Sequence, residues 1–282
     1  MSRNWESSFV IVLLLVFLTW TFPFGESLAC TSPSVDVGLD TAQSDSYWPT
    51  NGWRYSTPEA QGVDPRCLQD LMEYIEVSDV AIDSVLVVKN GYLVMEEYPS
   101  LGYTNISQHF VASVTKSFTS ALVGIAISQG YINSVQDRMV DYYSDRIIAN
   151  AGSQKEQITI EHLLTMTSGL EWDEWSIQYT RPGNDFYDML HSGDSIQYVL
   201  DRPMAHNPGT VWIYNSGGSH LLGAIVENAT GIDLFTYADE NLFSPLGISP
   251  VFWEQDLQGY YLAGGGLHLT PLDMAKFGYL YL

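Results

Sequence analysis

Between positions 113 and 129 the chain reads SVTKSFTSALVGIAISQ, and Lys116 is the only charged side chain in that stretch. A run this apolar on almost every face has to be buried. Its length suits a helix, so it predicts a central buried helix stopped by Gly130. Ser113 falls on the first turn. Residues i and i+3 share a helix face, so the Lys116 ammonium can approach the Ser113 hydroxyl. The positive end of the helix also favours an alkoxide or oxyanion at that place. With four lysines in the chain, a Ser-x-x-Lys match arises by chance about 0.4 times, so the pair needs support from its surroundings. The plain alternative is a solvated lysine one turn from a helix-capping serine. Against it stands the cost of burying an ammonium in an apolar segment without a partner or a task.

The chain of 282 residues has 46% hydrophobic content with 8 Trp, 18 Tyr and 11 Phe, enough for a sizeable core. Its net charge of -22 would repel phosphates, which argues against a nucleic-acid partner. Such acidity suits solubility in salt or a low-lysine proteome better than attraction of a cationic substrate. His109, His162, His191, His206, His220 and His268 never fall at His-x-x-x-His or His-x-His spacing, so neither a metal nor another cofactor is expected.

The first 29 residues read as an address. Arg3 precedes an apolar stretch over 9–24, and Ser27-Leu28-Ala29 supplies small residues where a signal peptidase cuts. The expectation is a signal peptide or N-terminal anchor and an exported protein, periplasmic, extracellular or membrane-anchored. Cleavage after Ala29 would leave Cys30 at the mature N-terminus, where bacterial lipoproteins carry their lipid, so membrane attachment through this segment or through Cys30 stays open. Residues 30–47 form a polar linker. A Cys30–Cys67 disulfide is permitted in an oxidising compartment, though nothing in the sequence requires it.

The folded domain is expected over 48–282. Asp64-Pro65 is an N-cap and a first-turn proline, followed by Leu68, Leu71, Met72 and Ile75 at helical spacing. The strand-like runs 84–89 and 92–98 flank Asn90-Gly91, a strong signal for a tight hairpin. From about 131 to 261 the pattern turns to helices and loops, including 158–167, 195–200 and a buried 218–229. This predicts an α+β fold: an antiparallel sheet flanked by helices, with an inserted all-helical lobe. Thr270-Pro271-Leu272-Asp273 starts a last helix, whose apolar stripe of Met274, Phe277 and Tyr281 runs to Leu282 without a cap. Since a lone hairpin is no stable sheet, further C-terminal strands are expected, and the sequence reads as a truncated piece of a longer protein.

Ser113-Val114-Thr115-Lys116, Leu163-Leu164-Thr165-Met166-Thr167-Ser168-Gly169-Leu170, Tyr214-Asn215-Ser216, and Gly264-Gly265-Gly266-Leu267 with Asp273-Met274-Ala275-Lys276-Phe277-Gly278 occur in that order. In this the chain resembles the beta-lactamase-related serine hydrolases, on the side of class C beta-lactamases, D-alanyl-D-alanine carboxypeptidases, esterases and 6-aminohexanoate-dimer hydrolases. The resemblance implies that Ser113 is the acylated nucleophile, Lys116 its proton acceptor or tuning group, and Tyr214 a third member that shuttles a proton to the leaving group. A neighbouring cation favours the phenolate form of a tyrosine, which makes the role chemically reasonable; whether lysine or tyrosine is the base stays open.

Two departures matter. Ser216 stands where the family has an asparagine that helps hold the substrate amide, which turns the reading towards an esterase or amidase. The third motif, Lys-Thr-Gly or a His-x-Gly relative, would lie beyond 282, on a strand that also supplies an oxyanion-hole amide. Ser216 and Trp172 are the expected substrate-binding residues; Trp175 is considered with Trp172, and both also suit a packed surface loop. His220 reads as a core histidine, and the glycines at 264–266 as places of close backbone packing. The absence of Gly-x-Ser-x-Gly argues against an α/β-hydrolase. The functional expectation is a serine hydrolase that cleaves an ester or amide of a small-molecule or peptide-like substrate. Its rival is a weak or inactive binding or sensor protein on the same scaffold.

Overall fold

The computed structural model of the protein describes residues 47–78 and 80–282. The leader over 1–29, nearly all of the linker over 30–47, and Cys30 with its pairing to Cys67 lie outside the described residues. In chain order the main elements are β1 (Arg54–Tyr55), α1 (Pro65–Val77), β2 (Val85–Lys89), β3 (Tyr92–Glu97), β4 (His109–Phe110), α2 (Thr115–Ser128), α3 (Ile160–Leu164), α4 (Asp185–His191), α5 (Ser195–Leu200), α6 (Ser216–Thr230), α7 (Leu234–Ala238), α8 (Ser244–Leu246), β5 (Phe252–Trp253), β6 (Leu267–Leu269) and α9 (Pro271–Tyr279). The described residues divide into two compact units, one drawn from 47–109, 246–249 and 269–282, the other of 110–245 and 250–268.

In the first unit the hairpin forms where Asn90-Gly91 places it. Asn90 and Gly91 both take positive φ, 53° and 75°, as a two-residue turn with the twist of its strands requires. β2 and β3 pair antiparallel from Val85↔Glu97 to Lys89↔Tyr92, with an irregularity between Val87 and Val88. The sheet is mixed, however: β1 adds to the free edge of β3 in parallel, Arg54 opposite Tyr92. Arg54 is locked there by carbonyl bonds to Asn90 and Gly91 and by its guanidinium over the Tyr47 and Tyr92 rings. Trp53, Leu86, Leu93 and Ala275 form the core of the unit. Both predicted caps are made: the Asp64 carboxylate accepts from Arg66 N–H, and Thr270 Oγ1 accepts from Asp273 N–H.

In the second unit α6 is the inner helix, buried from Ser216 through Val226. Its small residues let neighbours close in: a Cβ on Gly223 would stand 2.6 Å from the Ala263 Cβ. α2 packs beside it through Phe118, Leu122, Val123 and Ala126. The expectation of burial on almost every face is corrected: Ser117, Ser120, Gly124 and Ser128 form an exposed stripe along α2. These positions recur every three or four residues, and their small side chains made the segment read as apolar all round. The helix also starts later than predicted, with Ser113 in a 3-10 turn (Ala112–Val114) that leads into it. A short sheet of order β4-β6-β5 stands beside these helices, with Val111 N–H donating to Leu267 O and Trp253 opposite Leu267.

Candidate active site

Ser113 is exposed at the mouth of α2. Ala112, immediately before it, has φ 44°, a left-handed conformation that costs a residue bearing a Cβ on the order of 1 kcal/mol. The turn persists because its neighbours hold it: Thr115 Oγ1 donates to Ala112 O at 2.6 Å and accepts from Leu267 N–H at 3.2 Å. Ser113 is thereby presented on a fixed backbone.

Lys116, one turn on, places Nζ 3.1 Å from Ser113 Oγ, and the same ammonium donates to Gly264 O at 2.5 Å. Thr119, a further turn along, donates to the neighbouring Ala263 O. The glycine run lies this close because of what it lacks. A Cβ on Gly264 would meet Ser216 O at 2.6 Å, and one on Gly266 would meet the Leu262 Cβ at 2.8 Å, whereas Gly265 has ordinary room. Close packing, expected of these glycines, is thus required at 264 and 266, and the Gly264 carbonyl gains a role that no side chain could announce.

Tyr214 reaches the same point from another direction. Its phenol oxygen lies 2.6 Å from Ser113 Oγ, and its ring lies 4.9 Å from Lys116 Nζ. The segment that carries it is docked backbone to backbone on the 163–170 motif. Ile213 N–H donates to Met166 O, Gly209 N–H to Thr167 O, and Ala205 and His206 N–H to Gly169 O. Gly169 permits this approach, since a Cβ there would sit 2.3 Å from His206 O. Asn215 then caps α6 through Gly218 N–H at 2.7 Å. The motif therefore serves as a ledge that delivers Tyr214.

The two expected substrate-binding residues are placed elsewhere. Ser216 is buried as the first residue of α6, with its hydroxyl donating to Glu174 Oε1 at 2.8 Å and its N–H to Glu174 Oε2. Trp172 is also buried, its indole N–H donating to Glu174 Oε2 and its ring packed on Gly217. Both side chains are consumed by internal bonds and present no surface to a substrate, which corrects the expectation. The exposed aromatics beside the site are Trp175, 68% exposed with its ring centroid 5.3 Å from that of Tyr214, and Trp212, 63% exposed at 6.2 Å. Trp212 had a legible signal, because residues two apart in an extended segment point the same way and Trp212-Ile213-Tyr214 precedes the helix.

His220 is 1% exposed. Its Nε2 lies 2.9 Å from Ser195 Oγ and 3.2 Å from Asp256 Oδ2, and Ser195 Oγ also donates to Asp256. Among the described residues no group of His, Cys, Asp and Glu could hold a metal ion, and no helix is long and apolar enough to cross a membrane.

The chain is similar to known proteins along most of the described residues. Residues 66–282 match the family described as Beta-lactamase. Protein flp of Staphylococcus aureus is 28% identical over 198 residues, 64% of this chain and 38% of that protein. Monacolin J acid methylbutanoyltransferase of Aspergillus terreus is 32% identical over 157 residues, 49% of this chain and 36% of that enzyme. The chain thus spans well under half the length of the curated relatives it matches. Among solved structures, a Bacillus anthracis protein classed by name with 6-aminohexanoate-dimer hydrolases superposes with a TM-score of 0.61 at 24% identity, covering 71% of this chain and 53% of that one. The α+β fold of small sheets flanked by helices is the beta-lactamase fold, and the family's members are serine hydrolases or acyltransferases. The chain belongs to the beta-lactamase-related serine hydrolase superfamily.

Proposed function

We propose that the protein is an exported serine hydrolase that cleaves an ester or amide bond through an acyl-enzyme on Ser113. The observation that carries this reading is the convergence of Lys116 Nζ and the Tyr214 phenol on one exposed hydroxyl, at 3.1 and 2.6 Å. In the proposed reaction one member of the Lys116–Tyr214 pair enters without its proton, as amine or phenolate, and takes the Ser113 proton as Oγ attacks the carbonyl carbon. The tetrahedral intermediate collapses, the bond to the leaving oxygen or nitrogen breaks, and the pair returns the proton to that atom. Water then attacks the acyl carbon by the reverse route and frees Ser113.

An esterase or amidase is favoured over a beta-lactamase, because Ser216 offers no side-chain amide to the substrate and its hydroxyl is taken by Glu174. Trp175 and Trp212 support a substrate with an uncharged, flat or aliphatic face beside the reacting carbonyl. Export is supported by the signal-like leader over 1–29, with attachment to a membrane through that segment or through Cys30 as part of the same proposal.

Rapid mixing of the full-length protein with a p-nitrophenyl ester tests the reading. One equivalent of p-nitrophenolate should appear in a burst before steady turnover, and Ser113→Ala should abolish both phases. A folded wild-type protein with neither burst nor turnover would favour the rival class of binding proteins, and turnover that persists in folded Ser113→Ala would remove Ser113 as the nucleophile.

A further inference from the structure

Two residues past Tyr214, Ser216 is bonded to a carboxylate that the reaction does not touch. Glu174 is fully buried, in a loop otherwise studded with exposed residues. A carboxylate removed from water costs several kcal/mol unless hydrogen bonds replace its hydration, and this one is well supplied. Oε2 accepts from the Trp172 indole N–H at 2.8 Å and from Ser216 N–H at 3.3 Å, and Oε1 accepts from Ser216 Oγ at 2.8 Å and from the Tyr179 hydroxyl at 3.1 Å. The backbone of the loop is fixed at the same place. Buried Asn184 donates through Nδ2 to Glu174 O and Ile177 O, and Asp173 Oδ1 accepts from Trp175 and Ser176 N–H.

What these bonds join is informative. One end is the loop whose next residue, Trp175, lays its ring against Tyr214. The other end is the first residue of α6, two positions after Tyr214 and in contact range of Gly264, whose carbonyl holds Lys116. We infer that Glu174 is a positioning residue for the site: by tying the Trp175 loop to the start of α6 it fixes the Tyr214 phenol at Ser113. This rests on the reading that Tyr214 acts on Ser113, and it assigns Glu174 no contact with substrate.

The donor types make the inference testable. The two groups at Oε2 are N–H donors that cannot reverse, whereas both groups at Oε1 are hydroxyls that can turn and accept. A glutamine therefore fits, with its carbonyl oxygen in the place of Oε2 and its amide in the place of Oε1. A leucine leaves the three buried donors, the Trp172 indole N–H and the Ser216 N–H and hydroxyl, without this acceptor. The experiment uses the full-length protein labelled at tyrosine Cζ with ¹³C, the Tyr214 resonance being assigned by its absence in Tyr214→Phe, together with steady-state kinetics on a p-nitrophenyl ester.

Glu174→Leu should move the Tyr214 resonance and lower kcat by about 10²-fold with KM changed less than about threefold. Glu174→Gln should restore both the resonance and most of kcat. Should Glu174→Leu fail to fold, Ser216→Ala removes one donor at the same node, and a smaller resonance shift with a several-fold fall in kcat is expected. A Tyr214 resonance unmoved in folded Glu174→Leu or in Ser216→Ala would overturn the inference. A wild-type protein with no esterase turnover whose Tyr214 resonance still follows the Leu and Gln pattern would sink the proposed function and leave the positioning role standing.

Discussion

Two serine-centred polar clusters stand in the second unit, and their residue types suggest the wrong assignment of roles. Ser195, His220 and Asp256 spell the most familiar hydrolase constellation, while Ser113, Lys116 and Tyr214 contain no histidine and no acid. Geometry reverses the impression. A working Ser-His-Asp triad places the acid on one ring nitrogen and the serine on the other. In this protein Ser195 and Asp256 both address His220 Nε2, and Nδ1 has no partner among the described residues. The Asp256 and His220 side chains are each 1% exposed, so no substrate carbonyl can enter. Ser113 is exposed, rests on a strained turn, and has both a cation and a phenol within hydrogen-bonding distance. Access and directionality, rather than the identity of the residues, separate a reactive site from a structural tie.

The largest effect expected from breaking this contrast is kinetic. Ser113→Ala should lower ester turnover by about 10³-fold or more, while Ser195→Ala should leave kcat of the folded protein within about twofold. The reverse pattern would exchange the two clusters. Next in size, Tyr214→Phe should slow turnover by about 10²-fold, measured as kcat at saturating ester; an unchanged rate would return Tyr214 to a packing role.

On the buried side the currency is stability. Asp256→Ala removes the carboxylate that both Ser195 Oγ and His220 Nε2 address and leaves them only each other, and a loss of about 2 to 4 kcal/mol in urea unfolding at neutral pH is expected. Burial alone would raise the Asp256 carboxyl, but hydrogen bonds from His220 and Ser195 outweigh it and hold the group below its ordinary range. A depressed carboxyl stabilises the fold above its unfolded pKa and loses that contribution as pH falls through the lower folded value. The cluster should therefore soften in acid, below about pH 4, and Asp256→Asn should flatten that limb of the stability profile.

The smallest expected effect has the opposite sign. Glu227 on α6 is pushed up to about 7, first by burial and then by the charges of Asp233 and Asp256, against a hydrogen bond from Leu234 N–H that lowers it. A raised carboxyl contributes fully below its unfolded pKa and loses that contribution as pH rises through the folded value. Wild-type stability should fall between about pH 4.5 and 7 relative to Glu227→Gln. Screening of this half-buried group limits the difference to roughly 1 to 2 kcal/mol, read from urea midpoints at the two pH values. A wild-type midpoint that rose relative to the variant over this window would contradict the sign.

How much of this was legible in the sequence depends on the reach of the signal. Asn90-Gly91, the Asp64 cap and the Thr270 cap are local devices, and each formed where its residues stand, because turn and cap energies are settled within four residues. Tyr214 is 101 residues from Ser113, and only the ordered set of motifs, read as a resemblance, joined them. Trp172 and Trp175 could not be told apart, since an irregular loop has no period to say which ring turns inward. Ser216 misled for a related reason: its partner is a carboxylate 42 residues away, and no pattern near Ser216 advertises that bond. The exposed stripe of α2 was masked by serine and glycine, which interrupt an apolar run without charging it.

The central claim is that Ser113 and not Ser195 is the nucleophile, and a fluorophosphonate tests it most directly. Incubated with the folded full-length protein, digested and weighed, the reagent should leave its adduct mass on the peptide that contains Ser113 and none on the peptide that contains Ser195. An adduct on Ser195, or none on Ser113 in a sample shown to be folded, would contradict the account.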